Sequence, residues 1–302
     1  MQPDIDVLII GSGINSLACA MVLQRSGVRV ALFEQAPEPG GAVKSGAYTQ
    51  SGFNHDWAAM NLSLFAGSPF FQDFGAELSA AGLELVPVEK CFASAFEDGR
   101  WLGIQKDLNA NLAAIHAFAN KDAKAWQDLS AGFPGLAPHL FAILGASFGI
   151  RAVAGNIWRL LRQKKLPGVL DLGQFLAASP RHWLDQTFTS AHVKSTLAAW
   201  GMHLDFAPDI AGGALFPYLE AMTNQSYGMV IGKGGADTVT RAMLSCIRAK
   251  GGSVTCNAPV DRVLIEQGRA VGIRLADGRE FHAAKAVVAN VAPRKTARVS
   301  GE

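Results

Sequence analysis

The fold is decided by Val7-Leu8-Ile9-Ile10-Gly11-Ser12-Gly13-Ile14-Asn15-Ser16 and by the residues that follow it to Glu34. Asp6 to Ile10 reads as a buried strand, a short apolar run ended by a glycine. Gly11-Ser12-Gly13 is a turn. An apolar helix then runs through Leu17, Met21, Val22 and Leu23, and Gly27 sits where a glycine closes a helix. Val28, Val30 and Leu32 alternate as a second strand would, and that strand ends at Glu34. The order is strand, glycine turn, helix, strand, acid.

Each position in that order has a physical reason. Gly11 makes a turn too tight for a Cβ, and Gly13 lets the backbone approach a diphosphate. The helix start at Ile14, Asn15 and Ser16 offers free N–H groups and a partial positive charge. Ser16 replaces the third glycine of the usual pattern; like Ala20, it is small enough for the helix to lie close to the sheet. Glu34, 23 residues after Gly11, is placed to accept hydrogen bonds from an adenosine ribose. A carboxylate there repels a 2′-phosphate, which argues against NADP. The spacing does not by itself separate NAD from FAD.

Pro37-Glu38-Pro39-Gly40-Gly41-Ala42-Val43 follows almost at once. Up to this point the sequence resembles the phytoene desaturase-like branch of the FAD-dependent amine oxidase superfamily. The resemblance continues through Gly52-Phe53-Asn54-His55-Asp56, Met60-Asn61-Leu62-Ser63-Leu64-Phe65 and Ser68-Pro69-Phe70-Phe71. It implies that the Gly40-Gly41 pair passes under the flavin side of the cofactor. Where the family often carries Arg, this chain has Ala42, with Lys44 two residues on, so a backbone contact is expected there rather than a side-chain one. Taken alone, Gly40-Gly41 would read as a flexible loop.

The far end of the chain returns to the same domain. Tyr227–Ile231 reads as a strand, Gly232-Lys233-Gly234-Gly235 as a turn and Ala236–Lys250 as a helix. The turn mimics a phosphate loop but lacks the Gly-Lys-Ser/Thr ending. Ser253–Cys256 is a further strand. A β-meander follows over 262–283, with Val271, Ile273 and Leu275 in clean alternation. Ala286-Val287-Val288-Ala289 is a buried strand ending at Asn290, at the carboxyl end where ligands of such sheets sit. The resemblance adds that backbone groups at Val260 bind the adenine. The expected fold is α/β: a discontinuous Rossmann-like FAD-binding domain, residues 1–66 and 226–302, combining a parallel sheet with a β-meander. An inserted, mainly helical substrate or cap domain occupies 67–225. The expected cofactor contacts are Gly11, Gly13, Ile14, Asn15, Ser16, Glu34, Gln35, Gly40, Gly41, Ala42, Val43, Val260 and Asn290.

In the middle region, Leu78–Val88 and Cys91–Trp101 read as strands around an Asp98-Gly99 turn. Residues 108–219 read as helices broken at Phe133-Pro134-Gly135, Leu166-Pro167-Gly168 and Ser179-Pro180. No Asp or Glu lies between Asp128 and Asp171, whereas Arg151, Arg159, Arg162, Lys164 and Lys165 do, interleaved with Ile150, Val153, Ile157, Trp158, Leu160 and Leu161. The plainer reading, a solvated basic face of a cap helix, stands first. Docking of 150–165 on an anionic membrane stands beside it.

Composition sets the remaining bounds. In 302 residues, 49% are hydrophobic and 17% charged, which excludes disorder. Lys+Arg 27 against Asp+Glu 25 leaves +2, so no field draws nucleic acid non-specifically. Cys19, Cys91, Cys246 and Cys256 are far apart, which fits a reducing, cytoplasmic setting. No HExxH occurs, no metal site is expected among the seven histidines, and no GxSxG nucleophile is present. The greasiest stretch, Leu140–Ile150, is too short to span a bilayer.

The resemblance implies a flavoenzyme that takes hydride from a small apolar substrate such as a carotenoid precursor. No second Rossmann fingerprint is present for a nicotinamide domain, so oxygen or a quinone is the expected acceptor. No catalytic residue is named; His55 and Asn61 are candidates near the flavin, with a loop role preferred for each. Two other readings remain. One is a flavin amine oxidase. The other is a non-catalytic protein like the prenyl-binding dissociation inhibitors of small GTPases, which resemble this fold and bind no flavin. Family chains normally run further, to a Gly-rich segment with an acid. The stop at Arg298-Val299-Ser300-Gly301-Glu302 therefore raises the expectation of a fragment, of a second polypeptide completing the fold, or of an inactive copy.

Overall fold

The computed structural model describes residues 5–144, 150–202 and 205–292. The chain divides into two compact units, residues 1–87 with 230–302 and residues 88–229.

In the first unit, strand β1 (Val7–Ile10), helix α1 (Ile14–Arg25) and strand β2 (Val30–Phe33) follow the order read from the sequence. β1 pairs in parallel with β2, Val7 opposite Val30 and Ile10 opposite Phe33. On its other side it pairs in parallel with Ala286–Ala289. Ser253–Thr255 adds to β2, so the sheet order is Ala286–Ala289, β1, β2, Ser253–Thr255.

Every residue of β1 and β2 is buried because both faces of the sheet are covered. Val7, Ile9, Val30 and Leu32 face a helical layer with Leu17 and Met21 of α1, Leu78 of Pro69–Ala80, and Met243 and Ile247 of Asp237–Ala249. Leu8, Ile10, Ala31 and Phe33 face the antiparallel meander of Val260–Glu266, Arg269–Leu275 and Glu280–His282. The strict alternation of β1 and β2 between these two cores fixes their register.

Two details depart from the sequence reading. Leu78 is helical, and the strand begins only at Leu85. Ser68 caps that helix by accepting from Phe71 N, and Pro69 stands at its first position. The helix buries Phe74 and Leu78 in the first unit's core, so residues 67–87 belong with the parallel sheet and not with the inserted unit.

Among its described residues, the second unit carries a hairpin, Lys90–Ala95 with Trp101–Gln105, and the helices Leu108–His116, Asn120–Leu144, Ile150–Ala177, Pro180–Thr187, Ala191–Met202 and Leu215–Tyr227. Its core is built on Ile115, Trp126, Phe133, Leu140, Phe188 and Leu197. The expected break at Phe133-Pro134-Gly135 is absent: Pro134 and Pro138 both lie inside Asn120–Leu144. The proline rings face solvent, while Phe133, Ala137 and Leu140 bury one continuous stripe, and that packing outweighs the lost backbone bonds. The bend expected near Leu166-Pro167-Gly168 occurs at Lys165, whose φ is 56°. In the basic stretch, Trp158, Arg159 and Arg162 are exposed and Leu160 joins the core. The side chains of Arg151, Val153, Ile157 and Lys164, together with residues 145–149 and 298–302, lie outside the described residues. Among the described residues no helix is long and apolar enough to cross a membrane.

Candidate functional site

The site grows from the carboxyl ends of the parallel strands. Gly11 follows β1 with φ +93°, and a Cβ there would lie 2.9 Å from the carbonyl oxygen of Asn290. Its N–H donates to Phe33 O at 2.8 Å, and Asn290 N donates to Ile10 O at 3.1 Å. Three strand ends are thus tied together at one point. Only a glycine fits where they meet.

Gly13 is glycine for a different reason. It is the N-cap of α1, with φ −62° and ψ 166°, a conformation open to any residue. A Cβ built on it meets nothing within 4 Å. The fold therefore does not require glycine at this position; the side chain is missing on the face turned toward free space. No side chain caps α1, so its first-turn N–H groups keep no side-chain acceptor.

Gly40 and Gly41 lie directly on this turn. Gly40 N donates to Ser12 O at 3.0 Å, and Gly13 and Gly40 form a parallel bridge. Gly41 has φ +63°, and a Cβ there would stand 3.1 Å from the Gly13 Cα. The loop is therefore fixed against the helix start, not loose.

Glu34 is 9% exposed and faces the turn. Its Oε2 accepts from Ser12 N at 2.9 Å and from the Ser12 hydroxyl at 2.8 Å. Its Oε1 accepts from Ala36 N at 2.9 Å. Burial alone would push this carboxyl up. The Ala36 N–H, both Ser12 donors and the nearby charge of Lys44 outweigh it and hold the group below its ordinary value.

Ser16 is buried, and its hydroxyl accepts from Asn290 Nδ2 at 2.8 Å. The serine in the third glycine's place thus anchors the strand end opposite it.

These elements enclose a crevice of about 320 Å³, within the range of small-molecule pockets. Of the residues expected from sequence, Gly11, Gly13, Glu34, Gln35, Gly41, Val260 and Asn290 line it. Ile14, Asn15, Ser16, Gly40, Ala42 and Val43 do not, although Ser16 and Gly40 support residues that do. Ser12, Ala258, Val291 and Ala292 line it and were not anticipated. Ser12 fills the unconstrained position of the Gly-x-Gly pattern, so its hydrogen bonds to Glu34 left no trace in the spacing.

Two other sequence features resolve here. Asn61 accepts from Ser63 N at 3.0 Å, a local turn contact, and His55 is exposed on a two-residue strand. The Gly232-Lys233-Gly234-Gly235 turn is filled from within. The Asp56 carboxylate accepts Ala236 N at 2.7 Å and the Ser45 hydroxyl at 2.5 Å. Ser45 Oγ in turn accepts Asp237 N at 3.1 Å. A carboxylate thus occupies the place an external phosphate would take. Among the described residues no cluster of His, Cys, Asp or Glu could hold a metal ion.

Residues 9–78 match the NAD(P)-binding Rossmann-like domain family. Among curated proteins, the chain is 24% identical over 282 residues to the phytoene desaturase (neurosporene-forming) of Cereibacter sphaeroides, covering 91% of this chain and 51% of that protein. The chain spans about half the length of the first curated relatives it matches. Among solved structures, cyclohexylamine oxidase from Brevibacterium oxydans aligns with TM-score 0.55 at 18% identity, over 99% of this chain and 60% of that one. The RAB GDI of Plasmodium falciparum aligns with TM-score 0.53 at 11% identity, over 98% of this chain and 66% of that one. The last two likenesses are of fold alone. With its glycine turn, its parallel sheet backed by a meander and its helical second unit, the chain is similar in sequence to a phytoene desaturase and shares its fold with a flavin amine oxidase.

Proposed function

We propose that the first unit binds FAD by its adenosine diphosphate half, and that the protein is an FAD-dependent oxidoreductase that dehydrogenates a small apolar substrate. One observation carries this reading: Gly13 is a glycine the free fold does not need, placed at an uncapped helix start. A diphosphate approaching the α1 N–H groups needs the room that a Cβ there would take. Glu34 supports the sugar contact. A carboxylate has about four acceptor sites, and three are taken by Ser12 and Ala36, which leaves capacity on Oε1 for one ribose hydroxyl.

Bound FAD would supply a two-electron acceptor for a hydride from a substrate carbon. The chain's own part is to hold and orient the cofactor: Gly11 and Gly13 by leaving room, the start of α1 by donating N–H groups, Glu34 by accepting from the sugar. Val260 and Ala258 give the crevice an apolar wall against which a base can lie. The likeness to a phytoene desaturase favours an apolar, polyene-like substrate over an amine.

The test is the visible absorption of the purified protein with and without added FAD. A bound flavin band is expected, and Glu34→Arg should weaken FAD binding at least tenfold, through about 1.4 kcal/mol or more. A colourless protein with no affinity for FAD would overturn the reading and favour a binding protein without redox chemistry.

A further inference from the structure

The second unit contains a cleft of about 450 Å³ between the helices Asn120–Leu144, Ile150–Ala177 and Leu215–Tyr227. Its wall is mostly hydrocarbon: Leu129, Leu136, Leu160, Leu172 and Phe175. Among these side chains stands Tyr218, which is 4% exposed. Its ring is held on three sides, with centroids 5.3 Å from Phe175, 5.9 Å from Phe133 and 5.9 Å from Trp183. The ring has no freedom to carry its hydroxyl elsewhere.

That hydroxyl has no hydrogen-bond partner among the described residues, and burial alone pushes the phenol up to about 12. At neutral pH it is therefore a neutral group able to donate one hydrogen bond and accept others. The oxygen itself is not sealed off, so a ligand oxygen in the cleft would take the place of water on it and gain one ordinary hydrogen bond. At the rim stand two exposed acids, Asp128 and Asp171, the first in an ion pair with Lys124. They make the entrance unfavourable for an anion.

We propose that this cleft binds a small, uncharged, largely apolar molecule with a single hydrogen-bonding oxygen, which pairs with the Tyr218 hydroxyl. The leucine wall takes the hydrocarbon, Phe175 packs on it, and the acidic rim rejects carboxylates of the same shape. The size falls within the roughly 300–1,000 Å³ of small-molecule pockets. The cleft lies wholly within the second unit and its chemistry needs no flavin, so the inference stands or falls separately from the reading of the nucleotide crevice.

The experiment is a fluorescence titration of the full chain with 2-naphthol, naphthalene and 2-naphthoate, with no FAD added. 2-Naphthol is expected to bind more tightly than naphthalene, and 2-naphthoate least tightly. Tyr218→Phe should weaken 2-naphthol about fivefold, the value of one hydrogen bond, while leaving naphthalene unchanged. Leu136→Trp, at a half-buried wall position, should weaken both by filling the cleft; circular dichroism checks that each variant is folded. No saturable binding of 2-naphthol, equal loss of both ligands in Tyr218→Phe, or indifference to both substitutions would overturn the proposal.

Discussion

Glu34 serves the fold and the proposed ligand with one carboxylate. Two of its hydrogen bonds shape the turn through Ser12, and a third fixes the chain at Ala36. Its folded-state value is depressed, so its contribution to stability is complete above the ordinary glutamate range and is lost as pH falls through the folded value. Acid titration of the melting temperature should therefore be less steep for Glu34→Gln than for the native chain. Parallel curves would remove Glu34 from the acid-sensitive set. The glycines allow a sharper separation. Gly13→Ala should cost the free protein no more than about 1 kcal/mol, because its Cβ meets no atom, yet weaken FAD at least tenfold. Gly11→Ala should destabilise the free protein by about 1–3 kcal/mol, because its φ is +93° and its Cβ would press on Asn290 O. Thermal melts with FAD titrations distinguish the two; a large loss of stability in Gly13→Ala would place its role in folding. At this scale the sequence was informative where a residue type is unusual, as at Gly11, Gly13 and Glu34. It was silent where a common residue makes a particular bond, as with Ser12 to Glu34 and Asn290 to Ser16, since a serine looks the same whether or not its hydroxyl is used.

Elements were legible in proportion to how local their causes are. β1, α1 and β2, and the meander, follow from apolar runs, alternation and turn residues, and they stand where those signals put them. Pro134 is the counterexample. Its local signal says break, but Phe133, Ala137 and Leu140 commit the same residues to one buried stripe, and that stripe is a property of the packed unit. Leu78 erred in the same way, its run of apolar residues serving a capped helix and not a strand. The basic stretch remains a proposal at this scale. Trp158 is 62% exposed, with the Arg162 guanidinium 5.7 Å from its ring centroid. If residues 150–165 dock on a bilayer, the protein should co-sediment with vesicles containing anionic lipid, less so at high salt, and Arg159→Glu with Arg162→Glu should reduce binding. Sedimentation indifferent to lipid charge would leave this face to water.

On the scale of the whole molecule, the chain has two units with separate cores. Trp126 and Trp183 are both buried in the second unit, and Trp126 Nε1 donates to Gln225 Oε1 at 2.9 Å. Trp57 of the first unit is already 66% exposed, so the change in tryptophan fluorescence on unfolding reports mainly the second unit. Two partly separable unfolding transitions are expected, and saturating FAD should raise only the one that tryptophan fluorescence does not follow, by about 2.7 kcal/mol at 100 times the Kd. A single transition with equal shifts by every probe would mean that the units unfold as one. The discontinuity of the first unit was readable from its two ends because both carry strand and turn signals. The exact crossing points, before Val88 and after Met229, were not, since contacts between distant segments decide them.

Asp56 bears on how the proposed nucleotide would find its place. The first unit presents two glycine-rich entries to helices, and the chain has stoppered one with its own anion. Any phosphate compound diffusing to the surface meets a competitor already seated at Gly232-Lys233-Gly234-Gly235, at a local concentration no solute can match. If the other entry holds the proposed dinucleotide, selection is made by internal rivalry as much as by attraction, and inorganic phosphate or a mononucleotide gains no second foothold from which to dislodge it.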